Sequence, residues 1–253
     1  MNKFLRALKD PLRSSAIAWR RIFPFGIRPT DPEAYRIGSW SLGKAQRSDL
    51  LTLFPNTKST DIKIIRAGDR QKNLSLDAQE LFALCLMVSI IGAKRILEIG
   101  TSDGNTTINL VANAAAGATI TTIDLPTDWT GKYGIAVPET LNNVTCRSAV
   151  GRQFRKSKYE TAITQILGDS AAIDFAALKG PFDFAFIDGC HYYGYVRSDT
   201  EKCEQCMRDG GVIVWHDYGM INDVSRAVDE WSESRGIPVN VISATRLAFA
   251  RLP

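Results

Sequence analysis

Short apolar runs alternate with stretches of helical periodicity over the last two thirds of the chain. Five of the apolar runs each predict a buried strand, at residues 96–99, 119–123, 163–167, 182–187 and 211–215. Apolar residues recur at helical spacing in five further stretches, at residues 75–92, 105–115, 171–178, 195–207 and 223–234. Two more apolar runs, 239–242 and 246–250, are separated only by a short turn.

This alternation is typical of an α/β fold with a parallel sheet and helices on both faces. We therefore expect a Rossmann-like, doubly wound sheet of seven mostly parallel strands that ends in a C-terminal antiparallel hairpin. Asp77 followed by Glu80 predicts a capping pair at the start of the first helix. Residues 61–65 are a candidate for one further short strand. Residues 75–253 would form the main domain, and residues 1–74 an N-terminal basic extension and cap segment.

The positive charge of the chain belongs to its beginning. The 253 residues carry a formal net charge of +4, yet residues 1–30 contain seven basic residues and a single acid. The main domain is then slightly acidic, so we do not expect it to bind nucleic acid. The extension favours a peripheral contact with a membrane surface or a partner; the alternative is that it packs on the domain or stays partly disordered.

The sequence predicts a cytoplasmic protein, with contact at the inner membrane face left open. Charged residues interrupt the first apolar residues of the chain before they can form the continuous apolar segment of a signal peptide. The longest apolar run, residues 81–93, is shorter than the ~20 residues of a membrane span. Five dispersed cysteines do not suggest a disulfide framework. Homo-oligomerisation is also left open.

A glycine turn follows the first predicted strand of the domain. Gly100 and Gly104 frame it, and Glu98 lies just before it. A strand, a glycine turn and a helix bring backbone N–H groups and a positive helix end to one spot. Ser102 replaces the middle glycine of the dinucleotide fingerprint and no third glycine follows, which weakens a pyrophosphate site. The acid at Glu98 instead suits a ligand with an amino group.

Acids and both histidines of the chain follow the predicted strand ends. In a parallel sheet these ends lie on one rim, which is where ligands bind. The residues concerned are Asp124, Asp169, Asp188, His191, His216 and Asp217. Titratable groups that converge in this way are what a catalytic site requires. Asp124 is placed to accept hydrogen bonds from a ribose, although a helix cap or loop acid is the alternative.

These motifs resemble those of the class I S-adenosylmethionine-dependent methyltransferases. The first motif is Glu98-x-Gly100-x-x-x-Gly104. Three others, Gly168-Asp169-Ser170 and the stretches 182–191 and 210–217, are similar to a bacterial subgroup called methyltransferase domain 24. The resemblance runs from about residue 75 to 253 and leaves residues 1–74 uncovered.

The resemblance implies S-adenosylmethionine as the cofactor and a role for each motif residue. Gly100, Ser102 and Gly104 would pass close to its methionine part, and Glu98 would help to hold the amino group. Asp124 would bind the ribose. Asp169 and Ser170 would lie beside the adenine, and Asp188 near the methyl donor.

Catalysis on a hydroxyl acceptor requires a base, and a histidine is suited to that near neutral pH. His191 is the first candidate and His216 the second, the alternative being that both are structural. Asp217 completes the candidate catalytic set. Related O-methyltransferases hold Mg²⁺ with acids at two strand ends, which implies a metal set of Asp188, His216 and Asp217. Because histidine is a softer ligand than an acid, a transition metal is as compatible as Mg²⁺.

The function expected is therefore S-adenosylmethionine-dependent methyl transfer to a hydroxyl of a small molecule or glycan. A nicotinamide-dependent oxidoreductase on a similar sheet is the first alternative, although the glycine pattern speaks against it. A catalytically silent cofactor-binding protein or partner subunit is the second. The acceptor itself is not identified, because substrate choice in such folds depends on loops and appended segments.

Overall fold

The computed structural model describes residues 43–55, 59–67, 76–137 and 149–253. Its strands are β1 Gln46–Ser48, β2 Arg95–Ile99, β3 Thr119–Asp124, β4 Ile163–Leu167, β5 Phe182–Ile187, β6 Met207–Trp215, β7 Asn240–Ile242 and β8 Ala248–Arg251. Its α-helices are α1 Leu50–Leu53, α2 Ala78–Ile91, α3 Asn105–Asn113, α4 Tyr193–Cys206 and α5 Asn222–Arg235. Two short 3₁₀ helices cover Glu160–Ala162 and Phe175–Ala177.

The eight strands form one sheet in the order β1-β7-β8-β6-β5-β2-β3-β4. β8 runs antiparallel to β6 and β7, and the other pairs are parallel. From β2 the chain winds outward to β3 and β4, and it then returns to place β5 on the other side of β2. Such a change of winding direction opens a crevice at the carboxyl ends of the strands. The crevice lies where the glycine turn follows β2.

Side chains alternate between the two faces of the sheet, as the pleat requires. In β2, Leu97 and Ile99 belong to an apolar cluster that also contains Val196 of α4 and Trp231 of α5. Ile96 belongs to a second cluster that contains residues of α2 and α3. Each face of the sheet is therefore covered by a helical layer, and Glu98 points into the layer formed by α2 and α3.

The α/β class, the mostly parallel sheet and the closing antiparallel pair are confirmed. The capping pair is also confirmed, since Asp77 and Glu80 form a reciprocal capping box at the start of α2. The sheet has eight strands where seven were expected, because β1 pairs in parallel with β7 at the edge. β1 is three residues long, polar and partly exposed, so its sequence carries no strand pattern.

Two local predictions are wrong. Residues 61–65 form no strand, because Lys63 and Ile65 donate their backbone N–H groups to side chains of α3, those of Asn113 and Asn109. Residues 171–178 contain only the 3₁₀ turn Phe175–Ala177. The ends of the other helices and strands differ from the predicted ends by a few residues. The largest difference is at β6, which begins at residue 207, four residues before its predicted start.

The predictions for residues 1–30 fall outside the described residues. The boundary between residues 1–74 and 75–253 stays a prediction, although β1 and α1, which precede it, pack on the same sheet and core. Within the described ranges, no helix is long and apolar enough to cross a membrane.

Candidate active site

The glycine turn after β2 packs directly against the end of β5. Gly100 has a φ of 100°, and a Cβ placed there would lie 2.1 Å from the carbonyl oxygen of Asp188. Gly104 has a φ of 87°, and a Cβ there would lie 2.6 Å from Phe154. Only glycine fits such positive φ angles and close approaches. Ser102 also has a positive φ, 48°, so the turn keeps its shape without a middle glycine.

Glu98 presents one unused carboxylate oxygen beneath this turn. It is fully buried, and its Oε2 accepts hydrogen bonds from Thr107 Oγ1 at 2.5 Å and Thr122 Oγ1 at 2.6 Å. Its Oε1 has no hydrogen-bond partner among the described residues. Burial raises the pKa of Glu98 to about 8. A buried polar atom without a partner requires an explanation, and an incoming donor such as an ammonium group would provide one.

Asp124 at the end of β3 holds the turn from the other side. Its Oδ2 accepts from the backbone N–H of Ser102 at 2.6 Å, and its Oδ1 from that of Leu125 at 2.7 Å. Burial raises the pKa of Asp124. Each carboxylate oxygen can accept more than one hydrogen bond, so these contacts leave capacity for ribose hydroxyls. The ribose role stays a prediction.

Asp169 at the end of β4 is buried and bound by the protein itself. Its Oδ2 accepts from the Gly134 backbone at 2.6 Å and from the Tyr195 hydroxyl at 2.9 Å. The backbone carbonyl of Ser170 accepts from Lys202 Nζ at 2.7 Å. Asp169 thus ties the segment after β3 to α4 at the crevice. The predicted adenine contacts of Asp169 and Ser170 stay predictions.

Asp103 is a turn residue that was not among the predicted site residues. It is buried, and its Oδ2 accepts from Gln153 Nε2 at 3.0 Å and from the Arg152 guanidinium at 3.3 Å. The backbone N–H groups of Gly151 and Gln153 donate to the carbonyls of Ser102 and Asp103. The segment before β4 therefore rests on the glycine turn and fixes its outer side.

Asp188, His191 and Asp217 converge at the ends of β5 and β6. His191 Nε2 lies 3.4 Å from both Asp188 Oδ1 and Asp217 Oδ2. One potential ligand atom from each residue lies within 4.8 Å of the others. Two carboxylates and an imidazole are a donor set that suits a divalent cation. We call these three residues the rim cluster. The predicted metal set had His216 in place of His191.

His216 reaches the rim as predicted, but both of its ring nitrogens are engaged. Nδ1 lies 3.0 Å from Asp188 Oδ1, and Nε2 lies 3.2 Å from Glu80 Oε2. Burial alone would lower the pKa of His216, but Asp188 and Glu80 raise it to about 10. At neutral pH the ring is then protonated and donates from both nitrogens. A protonated ring has no lone pair for a metal or a substrate proton, which favours His191 for those roles.

Glu80 and Arg246 complete the site from outside the predicted set. Glu80, which the sequence marked only as a helix cap, is fully buried. Its carboxylate accepts from the Arg246 backbone N–H at 3.0 Å, from Nε at 2.8 Å and from one terminal nitrogen at 2.7 Å. The other terminal nitrogen of Arg246 donates to Asp217 Oδ1 at 2.6 Å. An unbroken chain of ion pairs therefore joins α2 to the rim cluster.

Residues 97–218 match a family model described as methyltransferase domain. This match covers slightly less than half of the chain. The match contains the glycine turn, Asp124, Asp169 and the whole rim cluster. Glu98 falls inside it, whereas Glu80 and Arg246 lie before and after it. No curated protein matches the chain in sequence.

Solved structures, among them O-methyltransferases, share the fold of this domain. Cofactor-bound Rv0187 from MTB superposes with a TM-score of 0.53 at 21% identity, over 80% of this chain and 88% of that one. The O-methyltransferase TomG from Streptomyces achromogenes, in complex with SAM, gives 0.54 at 17% identity, over 82% and 91%. An O-methyltransferase from Bacillus cereus in complex with SAH gives 0.50 at 18% identity, over 81% and 90%. At these identities the likeness concerns the fold.

Proposed function

We propose that this protein transfers a methyl group from S-adenosylmethionine to a hydroxyl of a small molecule or glycan. The observation that carries the proposal is the contact between the glycine turn and the rim cluster. Gly100 packs on the backbone of Asp188, and the side chain of the same Asp188 contacts His191. A donor held at the turn and an acceptor held at the cluster would therefore be neighbours, as methyl transfer requires.

The chain fits the cofactor on three counts. Glu98 Oε1 is a buried acceptor without a protein partner, which suits the amino group of the methionine part. Gly100 allows the turn to pack against the end of β5, which brings the turn next to Asp188. Asp124 keeps hydrogen-bonding capacity for the ribose. When bound, S-adenosylmethionine supplies a methyl group already activated on a sulfonium.

His191 is the residue that we assign to the acceptor proton. Asp188 and Asp217 flank its Nε2 at 3.4 Å, so they orient the ring and stabilise the imidazolium that forms when the hydroxyl proton is taken up. The acceptor oxygen is then free to attack in line with the departing sulfur.

The same three residues would also hold a divalent cation, either Mg²⁺ or a transition metal. A bound cation supplies Lewis acidity, which lowers the pKa of a hydroxyl bound to it. His191 would then be a ligand and not the base. Chelation separates the two roles: activity that falls on treatment with EDTA and returns with Mg²⁺ or Mn²⁺ supports the metal, and activity indifferent to EDTA leaves His191 as the base.

Solved relatives of the fold support an oxygen acceptor, since TomG and the Bacillus cereus protein are both O-methyltransferases. A nicotinamide-dependent oxidoreductase is not favoured, because the family match is to a methyltransferase domain and the dinucleotide fingerprint is missing. A silent cofactor-binding protein would bind S-adenosylhomocysteine without transferring a methyl group.

Two experiments test the proposal. Calorimetry measures the binding of S-adenosylhomocysteine and of NAD. An activity assay then measures the transfer of labelled methyl groups to a panel of small-molecule and glycan hydroxyls. We expect S-adenosylhomocysteine to bind and NAD not to. Asp124→Ala should weaken this binding by about tenfold or more, the equivalent of ~1.4 kcal/mol, whereas Asp128→Ala in the same loop should change it little. Tight NAD binding would refute the assignment, and equal affinity of the two variants would remove Asp124 from the ribose site.

A further inference from the structure

Glu80 is the most heavily hydrogen-bonded carboxylate of the described site, and it lies outside the crevice. It is fully buried in the first turn of α2. Its Oε1 accepts two hydrogen bonds from Arg246, and its Oε2 accepts from Arg246, from His216 and from the backbone of Asp77. A helix cap needs only the last of these contacts. The other four connect α2 to residues from the far end of the chain.

One arm of this arrangement reaches Asp188. His216 lies between the two acids, with Nε2 at 3.2 Å from Glu80 and Nδ1 at 3.0 Å from Asp188 Oδ1. The ring is buried and packs edge-on against Phe186. Its orientation is therefore fixed by Glu80 on one side and by an apolar contact on the other. The position of Asp188 Oδ1 follows from the orientation of this ring.

The second arm reaches Asp217 through Arg246. The guanidinium grips Glu80 with two of its nitrogens and donates to Asp217 Oδ1 with a third, at 2.6 Å. The carbonyl of Arg246 also accepts the backbone N–H of Tyr218 at 3.0 Å. Asp217 has a φ of 58°, a conformation that a non-glycine residue holds only where its surroundings impose it. Arg246 binds the side chain of Asp217 and the peptide that follows it.

We propose that Glu80 is a positioning residue that sets the spacing of the Asp188 and Asp217 carboxylates through His216 and Arg246. Neither Glu80 nor Arg246 lies within residues 97–218, so the methyltransferase domain obtains the geometry of its rim cluster from segments on both sides of the family match. The geometric claim stands on these contacts. Its consequence for turnover rests on the proposed function.

Histidine NMR tests the geometric claim without an acceptor or turnover. The chain has only two histidines, so full-length protein labelled with ¹⁵N-histidine gives two ring systems. The ion-pair partners of His191 among the described residues are Asp188 and Asp217, and Glu80 is not one of them. If Glu80 sets the spacing of these carboxylates, Glu80→Gln should shift the ring signals of His191 as well as those of His216.

Arg246→Lys is the second variant. It keeps the positive charge but loses the guanidinium group, which donates hydrogen bonds to Glu80 and Asp217 at the same time. Asp183→Asn is the matched control. Asp183 accepts from the backbone of Lys94 and Arg95 and from Arg208, so it also joins several segments through one carboxylate. It lies at the opposite end of β5 from Asp188, outside the site. Its replacement should leave both histidine ring systems unchanged.

The proposal is supported if the folded Glu80 and Arg246 variants shift the His191 signals and the Asp183 variant does not. Unchanged His191 signals in either folded variant overturn it, as do equal shifts in the control. If Glu80→Gln does not fold, Arg246→Lys decides. Once an acceptor is assigned, Glu80→Gln should lower kcat about tenfold or more while KM for S-adenosylmethionine stays within about twofold. A protein without methyltransferase activity would leave the NMR result standing.

Discussion

Glu98 and Asp188 are two carboxyl groups of the same crevice with opposite proton affinities. Burial raises the pKa of Glu98 to about 8. Burial would do the same to Asp188, but His216 and His191 hold its pKa below the usual range. At neutral pH the first is largely protonated and the second ionised.

Glu98 should make the fold less stable as pH rises. Between its ordinary pKa of 4.5 and its folded value of about 8, the folded state keeps a proton that the unfolded state has lost. The free energy of unfolding therefore falls as pH rises through this window. Glu98→Gln should be more stable than the wild type at pH 8.5 by roughly 2–4 kcal/mol, and by much less at pH 5. Urea denaturation across the pH range measures the difference.

The control for this prediction is Glu233→Gln. Glu233 is exposed and paired with Lys44, so its replacement should change stability by less than about 1 kcal/mol at any pH. A Glu98→Gln effect that does not vary with pH would mean that Glu98 is ionised in the folded state.

His191→Ala should reduce turnover much more than cofactor affinity. A positioned general base contributes about 10²–10⁴-fold to the rate, while the contacts expected for S-adenosylmethionine lie on the turn. Rates of labelled methyl transfer and calorimetry with S-adenosylhomocysteine measure the two effects. Wild-type turnover in this variant would remove His191 both as base and as metal ligand. A loss of affinity equal to the loss of rate would place it in the cofactor site.

The two histidines also show which properties of a single residue the sequence predicts and which it does not. Both follow a strand end, so the order of elements predicts that both reach the rim, and both do. What separates them is the contact of His216 with Glu80, a residue 136 positions earlier in the chain. Strand ends fix which residues meet at an edge, but hydrogen-bond partners from other layers decide what each of them can do.

At the scale of elements, strands with an apolar run were predictable and strands without one were not. β2 and β5 are largely buried on both faces, so their residues are mostly apolar, with one acid in each strand, Glu98 and Asp183. β1 is polar and three residues long, and only the edge of β7 makes it a strand. Residues 61–65 carry apolar residues at Ile62, Ile64 and Ile65, yet their backbone bonds to α3. Short segments take their structure from their neighbours, which no local pattern reveals.

The packing of the turn after β2 against β5 should make Gly100 irreplaceable. A Cβ at Gly100 would lie 2.1 Å from the Asp188 carbonyl, whereas a Cβ at Gly117, which also has a positive φ, would meet nothing within 4 Å. Gly117→Ala should cost about 1 kcal/mol from backbone strain alone. Gly100→Ala should cost several kcal/mol, because strain and overpacking add. Thermal and urea unfolding of both variants compare the two, and equal costs would contradict the close approach.

At the scale of the whole molecule, the uneven distribution of charge leads to a prediction about membrane binding. Seven basic residues among the first thirty should bind the full-length protein to vesicles that contain anionic lipid, since each basic residue near such a surface contributes about 1 kcal/mol. Binding should fall with salt and with the paired change of Arg20→Gln and Arg21→Gln. Sedimentation with neutral vesicles is the control. Absence of binding at low salt would favour an extension that packs on the domain.

The pairing of β1 with β7 has a consequence for how the protein is made. Gln46 pairs with Asn240, and Glu80 needs Arg246. On a ribosome the early partner of each pair emerges first, and the late partner follows only after a long intervening stretch has been translated, 166 residues in the case of Glu80 and Arg246. A nascent chain stalled before residue 240 would hold a free sheet edge and an uncompensated acid. We therefore expect the rim to assemble only after residues 240–246 have left the ribosome, with a slow last folding step set by these distant contacts.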